Sequence, residues 1–444
     1  MLNNTKREDS AVIKYSKNNK KIFFLICIFF YCYSLNIAKG VNYIYDADDE
    51  DEKFLDALKN FRKENTLYNK KCKENKEKST LKKSTISKEE IEKYLINQRK
   101  SNEPISITEK FGTNFKGLDL SGLNFSGAQM YRMDLSEANL NNCKFDNAFL
   151  EEANFENTKL YNASFINASL AAVNFHKADL RETNFNLSFG KNASFLNANL
   201  SNSSFSKVNY EYSNFDFSIL DYANLEYSNF EGATFRSVKA ENLQAQSSNF
   251  NNADFSFSNL KNADLEDGNF NNANFNNANL KNAILFVSNL RYAKFVCSNM
   301  TNVYGEAADF RDATMHRTNL QRAYLDTAFF VNADMSFSNL SLCMLSEANM
   351  ERANLSNAII NSANLNQTFL NSANLSSALI KKSYLHSSNL SEANLSNATL
   401  INNNLENAML RSVKLSHTTL ENNILPDTHF TPAEIYKGQK EEKN

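Results

Sequence analysis

Four acid–aromatic pairs, Glu211-Tyr212, Asp216-Phe217, Asp221-Tyr222 and Glu226-Tyr227, follow one another at intervals of five residues. Such pairs offer recognition rather than reaction. A ring that can be desolvated beside a charge that fixes register has the composition of a protein-binding patch. Two further rings, Phe257 and Phe337, fall in the same phase as Phe217. The plainer reading is that outward rings shield the turn backbone, or that one unit was copied four times.

Groups suited to other chemistry are sparse. There are five histidines, and His176 and His316 lie 140 residues apart. No His, Cys, Asp or Glu spacing matches a metal site, so no metal or cofactor is expected. Ten glycines in the whole chain leave no phosphate-binding loop. Recurrent carboxylates at outward positions read as a solvated surface, and no catalytic set emerges. Of six cysteines, Cys27 and Cys32 lie in an apolar N-terminal stretch and Cys72 in a charged segment. Cys143 and Cys343 occupy inward small positions of the repeat described next, and Cys297 an outward one; no disulfide framework is expected. Triplets such as Asn162-Ala163-Ser164 arise from Asn and Ser preferences of the repeat, so they predict glycosylation poorly.

A repeat must position these residues. From Phe115 to Phe430 every fifth position forms one unbroken register of 64 sites, 60 of them Leu, Phe, Met, Ile or Tyr. The exceptions are Gly190, Ala240, Ala245 and Gly305. Two residues earlier a small side chain recurs, at 57 of 61 sites between Ala128 and Thr428. Period five matches neither an α-helix nor an ordinary strand, and points to a solenoid. A longer period is also visible: Phe155, Phe175 and onward to Phe295 are all Phe at intervals of twenty, and Leu120 to Leu220 all Leu. Like side chains twenty apart stack if one coil takes four repeats. Tyr212, Phe217, Tyr222 and Tyr227 then girdle one turn, and Phe257 and Phe337 lie two and six coils beyond Phe217. His176 and His316, seven coils apart, are about 34 Å from one another.

The repeat unit, as in Glu137-Ala138-Asn139-Leu140, Asn272-Ala273-Asn274-Phe275 and Glu392-Ala393-Asn394-Leu395, resembles the pentapeptide-repeat family, over residues 113 to about 430. The resemblance implies an all-β solenoid: a right-handed quadrilateral parallel β-helix of about 16 coils of 20 residues, with short helical caps. It implies that the register residue and the small residue two before it both point inward. At about 4.8 Å per coil the solenoid is roughly 75 Å long. Ala240 and Ala245, beside Leu243 and Val238 at small positions, read as volume exchanged between the two inner layers. At Gly190 and Gly305 the preceding Phe189 and Tyr304 are expected to turn inward.

Flanking segments bear on location. Residues 1–40 combine basic residues, including Lys20 and Lys21, with the apolar run from Ile22 to Leu35, as in a secretory signal peptide or an uncleaved anchor. Cleavage is expected after Gly40. Residues 41–112 are charged and partly helical, with a first helical stretch over Phe54–Phe61 and a capping helix near 88–100. There Ser87 and Glu90 form a capping box ahead of Ile91, Tyr94 and Leu95. Residues 113–430 are the repeats and 431–444 a C-terminal cap and tail.

Between 111 and 430 there are 22 Lys+Arg against 30 Asp+Glu, a net charge of −8. Some members of the resembled family mimic DNA and block type II topoisomerases. A charge of −8 over sixteen coils is thin for imitating a duplex with one charge per about 1.7 Å. No basic stripe suggests direct nucleic-acid binding. The expectation is a non-enzymatic structural or protein–protein interaction scaffold of the secretory pathway, in the ER lumen, secreted or vesicular. Membrane-anchored or plastid-like placement is the alternative location, and topoisomerase inhibition the alternative function. Its partner is an unknown protein rather than a small-molecule substrate, and it meets a membrane only through an uncleaved N-terminal segment.

Overall fold

The computed structural model describes residues 86–426. The signal segment, the Phe54–Phe61 helix, Cys27, Cys32 and Cys72, and the 431–444 cap lie outside the described residues.

Helix α1, Lys88–Ser101, opens where both capping-box bonds close. The Glu90 amide donates to Ser87 Oγ at 3.2 Å, and the Ser87 amide donates to Glu90 Oε2 at 3.4 Å. Glu89 and Glu90 sit at its positive end, Arg99 and Lys100 at its negative end, and Asn102 ends it in a left-handed conformation. Its Ile91 and Leu95 are buried. Helix α2, Ile107–Phe111, follows and buries Ile107. Arg99 donates to the Asn124 carbonyl, and the Tyr94 hydroxyl donates to the Ser106 carbonyl, tying this segment to the start of the solenoid.

Beyond it the backbone is a parallel β-helix. Asn114 bridges Asp134, Asp119 bridges Asn139, Asn124 bridges Lys144 and Gln129 bridges Phe149, and each ladder continues in steps of twenty. Four ladders therefore run along the coils, and we number them in that order. Coils join by bonds such as Phe115 N–H to Asp134 C=O at 2.8 Å, answered by Asp134 N–H to Thr113 C=O at 2.7 Å. The second ladder broadens near its end into four short parallel strands: β1 Ile359–Asn361, β2 Leu379–Lys381, β3 Thr399–Ile401 and β4 Thr419–Glu421.

Between ladders the chain turns, and among the described residues the second one after each register position takes a positive φ, from 49° at Val287 to 74° at Gly122. Asn and Gly tolerate that left-handed conformation, and Asn is the commonest residue there. Ahead of many turns Asn lends its side chain: Asn124 Oδ1 accepts from the Ser126 amide at 2.9 Å. These Asn also stack, as when Asn249, Asn269 and Asn289 each donate to the Asn one coil earlier at 2.9–3.1 Å.

Both inward rows are buried from Leu120 to Ala408, and Leu410, Val413, Leu415, Leu420 and Leu425 in the last repeats are partly buried. On the first ladder Phe155 through Phe295 stack at centroid spacings of 4.6–5.1 Å. On the third, Phe125 to Phe205 stack likewise at 4.5–5.2 Å. The two columns meet edge to face, Phe165 against Phe175 at 5.7 Å and 82°. The Leu120–Leu220 column is buried as well.

Ala240, Ala245, Leu243 and Val238 are all fully buried, so large and small residues do trade layers there. Gly190 and Gly305 depart from expectation. Phe189 is 57% exposed and Tyr304 39% exposed; neither turns inward. The next coil fills both gaps instead. A Cβ on Gly190 would stand 1.9 Å from Cε1 of Tyr210, whose ring occupies the missing volume and whose hydroxyl reaches Ser188 Oγ at 2.9 Å. At Gly305 the neighbour is Leu325, with Cδ2 3.0 Å from a would-be Cβ.

Candidate protein-binding surface

The outward rings sit where the backbone least tolerates them. Tyr212, Phe217, Tyr222, Tyr227, Phe257 and Phe337 all occupy the left-handed turn position, with φ between 55 and 61°. For an ordinary L-residue that conformation costs roughly 1–2 kcal/mol, and bulky residues are rare there. All six are about half to two-thirds exposed, from 49% at Phe337 to 65% at Phe257.

Consecutive turns carry Tyr212, Phe217, Tyr222 and Tyr227, so the four rings leave the coil at four different turns, one between each pair of ladders. Phe217, Phe257 and Phe337 occupy the same turn of different coils, separated by whole coils. One partner face therefore meets this last set, or one ring of the girdle, rather than the girdle at once. Tyr212 is the most braced ring. It lies against Gly232, where a Cβ would come within 2.6 Å of Cε1, and Lys191 Nζ stands 5.3 Å from its centroid. Phe337 is flanked by Arg317 at 5.8 Å and by the His316 ring at 5.3 Å.

The paired acids do different work from the rings. Asp216 is not part of the surface: its side chain is 2% exposed, Oδ1 accepts the Arg236 amide at 2.9 Å and Oδ2 the Arg236 Nε at 2.9 Å. The Asp216 carboxylate in turn raises the Arg236 pKa. Asp221 Oδ1 accepts the Glu241 amide at 2.8 Å, also joining adjacent coils. Glu211 binds Lys191 at 2.9 Å and Asn229 Nδ2 at 3.0 Å, and Lys191 holds its pKa below the usual value. Glu226 accepts from Asn224 Nδ2 at 3.3 Å. The two aspartates just after the register position reach the next coil's turn amide, whereas the longer Glu211 and Glu226 bond neighbouring side chains instead.

The turn conformation itself is absent from residue-by-residue reading, although the Asn and Gly preference at Gly117, Gly122, Gly127, Asn142 and Asn147 signals it. His176 pairs with Glu156 at 3.4 Å and His316 Nδ1 bonds Ser336 Oγ at 2.8 Å, so the two stand in separate local contacts. Among the described residues no group of three or more His, Cys, Asp and Glu could hold a metal ion, and no helix is long and apolar enough to cross a membrane.

Buried thiols follow from the inner row. Cys143 and Cys343 point their Sγ at the carbonyls of Leu120 and Leu320 at 3.1 and 2.9 Å. Burial raises each thiol to about 12. Both therefore stay protonated at neutral and mildly alkaline pH, while Cys297 is exposed. Iodoacetamide at pH 8 is expected to alkylate Cys297 in the native protein and to spare Cys143 and Cys343 until denaturant is added; peptide mass mapping reads the difference.

Comparison with known proteins completes the description. A model described as a pentapeptide repeat region matches residues 158–235. A second, described as pentapeptide repeats in 8 copies, matches 113–151, 248–285, 288–325, 315–352, 338–376 and 388–425. No curated protein sequence matches the chain. Among solved structures, it is similar to HetL, a pentapeptide repeat protein involved in heterocyst differentiation regulation in the cyanobacterium Nostoc sp. strain PCC 7120. Identity is 25% over 48% of this chain and 92% of that one, with a TM-score of 0.34. A pentapeptide repeat protein from the Arabidopsis thaliana thylakoid lumen is 30% identical over 26% of this chain and 68% of its own, with a TM-score of 0.13. Full-length QnrB1, a plasmid-mediated fluoroquinolone resistance protein, is 16% identical over 53% of this chain and 98% of its own, with a TM-score of 0.29.

Proposed function

This chain belongs to the pentapeptide-repeat family, and from that premise we propose that it is a non-enzymatic protein-interaction scaffold of the secretory pathway. The twenty-residue pairing with four bridges per coil supports a right-handed quadrilateral helix of about 16 coils, capped by α1 at its start.

One observation carries the functional reading: seven large aromatic residues, the six named above and Tyr292, occupy a turn conformation that Asn or Gly fills at lower cost, and all stay exposed. Strain retained at an exposed position is a mark of use. Secretory routing rests on the basic and apolar N-terminal segment, and is tested by N-terminal sequencing of the mature protein, expected to begin at Val41. The DNA-mimic reading needs a denser acidic face than a net charge of −8 spread over residues 111–430 supplies.

The test replaces all six rings, Tyr212, Phe217, Tyr222, Tyr227, Phe257 and Phe337, by Asn. Crosslinking followed by affinity purification from the protein's own cell is compared with the parent chain. Recovery of the specific partner is expected to fall at least about ten-fold, while each substitution raises stability by about 0.5–1 kcal/mol through relief of the turn. Undiminished recovery of the same partners would sink the proposal.

A further inference from the structure

The third ladder changes character part-way along. From Asn124 to Asp264 every outward residue on it is polar; from Ile284 it presents Tyr304, Tyr324, Met344 and, past Asn364, Tyr384. Tyr304, Tyr324, Met344 and Tyr384 are 38–56% exposed, and Tyr304 and Tyr324 stack at 5.0 Å and 4°. Each gives up the side-chain bond that Asn224, on the same ladder, makes to the Glu226 amide at 2.9 Å. The stripe lies on a ladder, away from the turn rings already described.

Its two edges carry opposite charge. The turn before the ladder supplies Lys281, Arg322, Lys381 and Lys382, with no acid from 281 to 382; the turn after it supplies Glu306, Asp326, Glu347 and Glu406, with no Lys or Arg from 286 to 407. Glu406 faces His386 at 3.7 Å. Arg322 and Asp326 bracket Tyr324 in one coil.

We propose that this stripe docks a second copy of the chain side by side, about a two-fold axis parallel to the solenoid axis. That axis exchanges left and right while keeping each coil level, so the basic edge of one copy runs along the acidic edge of the other. Arg322 meets Asp326 twice. Lys281 falls one coil from Glu306, and Lys381 and Lys382 one coil from Glu406, a step of about 4.8 Å that a lysine side chain spans. A two-fold perpendicular to the solenoid would set acid against acid, which disfavours it. The apolar centre supplies contact area and the edges supply orientation.

The test measures the mass of the full chain in solution at about 10 µM. The expected result is twice the chain mass, falling to one with Tyr304→Asn/Tyr324→Asn while the urea midpoint is retained. Arg322→Glu, or raising salt to about 0.5 M, is expected to weaken the dimer at least about ten-fold. Tyr304→Cys and Tyr384→Cys should each crosslink to its own counterpart on oxidation, since every residue on the axis meets itself. A monomer at that concentration, including one that binds a different protein through this stripe, overturns the proposal. A dimer indifferent to Tyr304→Asn/Tyr324→Asn overturns it too, as does self-crosslinking at only one of the two cysteines.

Discussion

Gly190→Ala is expected to destabilise the protein by about 3 kcal/mol, the upper end of the usual cost of overpacking. A single methyl is ruinous here because the new Cβ would stand 1.9 Å from the Tyr210 ring, which closed coils hold in place. The ring is enclosed by Phe195 at 5.6 Å and Phe205 at 5.4 Å and anchored through its hydroxyl to Ser188, so it has no room to retreat. The fourth-ladder residues before it are Leu150 and Leu170, both fully buried. Gly190→Leu/Tyr210→Leu would extend that run and is expected to recover most of the loss, giving a large coupling energy between two residues twenty apart in sequence. Urea denaturation of the two singles and the double decides it; a Gly190→Ala midpoint equal to the parent would show that Tyr210 does not fill that space.

Phe235→Ala is expected to cost about 3–5 kcal/mol, the range for truncating a buried aromatic. Phe235 stacks on Phe215 at 4.7 Å and Phe255 at 4.8 Å, and meets the edges of Phe230 and Phe250 at 5.7 and 5.8 Å. Removing it breaks a column in both directions. In a solenoid each coil touches only its neighbours, so the damage should stay local. Amide exchange is expected to accelerate over residues 215–255 while β1 to β4 keep their protection. Uniform acceleration along all the repeats would mean that the coils unfold as one unit.

The inner architecture was legible because it is written in single residue types at fixed intervals. Phe at every twentieth position from Phe155 and Leu at every twentieth from Leu120 give the coil length before any coordinate is known. The exchange of Ala240 and Ala245 for Val238 and Leu243 is legible for the same reason, since donor and recipient lie within seven residues. Gly190 failed that kind of reading. Its replacement comes from the coil above, and the nearby Phe189 was the more obvious substitute along the chain. In sequence Asp216 reads as a rim residue, because a carboxylate beside a ring looks exposed, whereas the Arg236 amide of the next coil lies within its reach. Nor could a linear scan find the stripe from Ile284 to Tyr384, whose members are twenty residues apart and flanked by unrelated turns.

The uninterrupted pairing of each residue with the one twenty later makes the chain a tape with a reading frame. Losing twenty residues deletes a coil and leaves everything downstream in phase. Losing five keeps every inward residue inward but sets the remainder back by one ladder. After such a deletion between 226 and 230, Phe235 would fall on the column of Tyr210, and the stripe from Ile284 onward would leave the third ladder for the second. The solenoid would still close, yet its outer surface would be cut into two halves rotated against each other. Sequence change in these repeats is thus quantised, tolerant at one step for folding and at four steps for whatever the surface recognises.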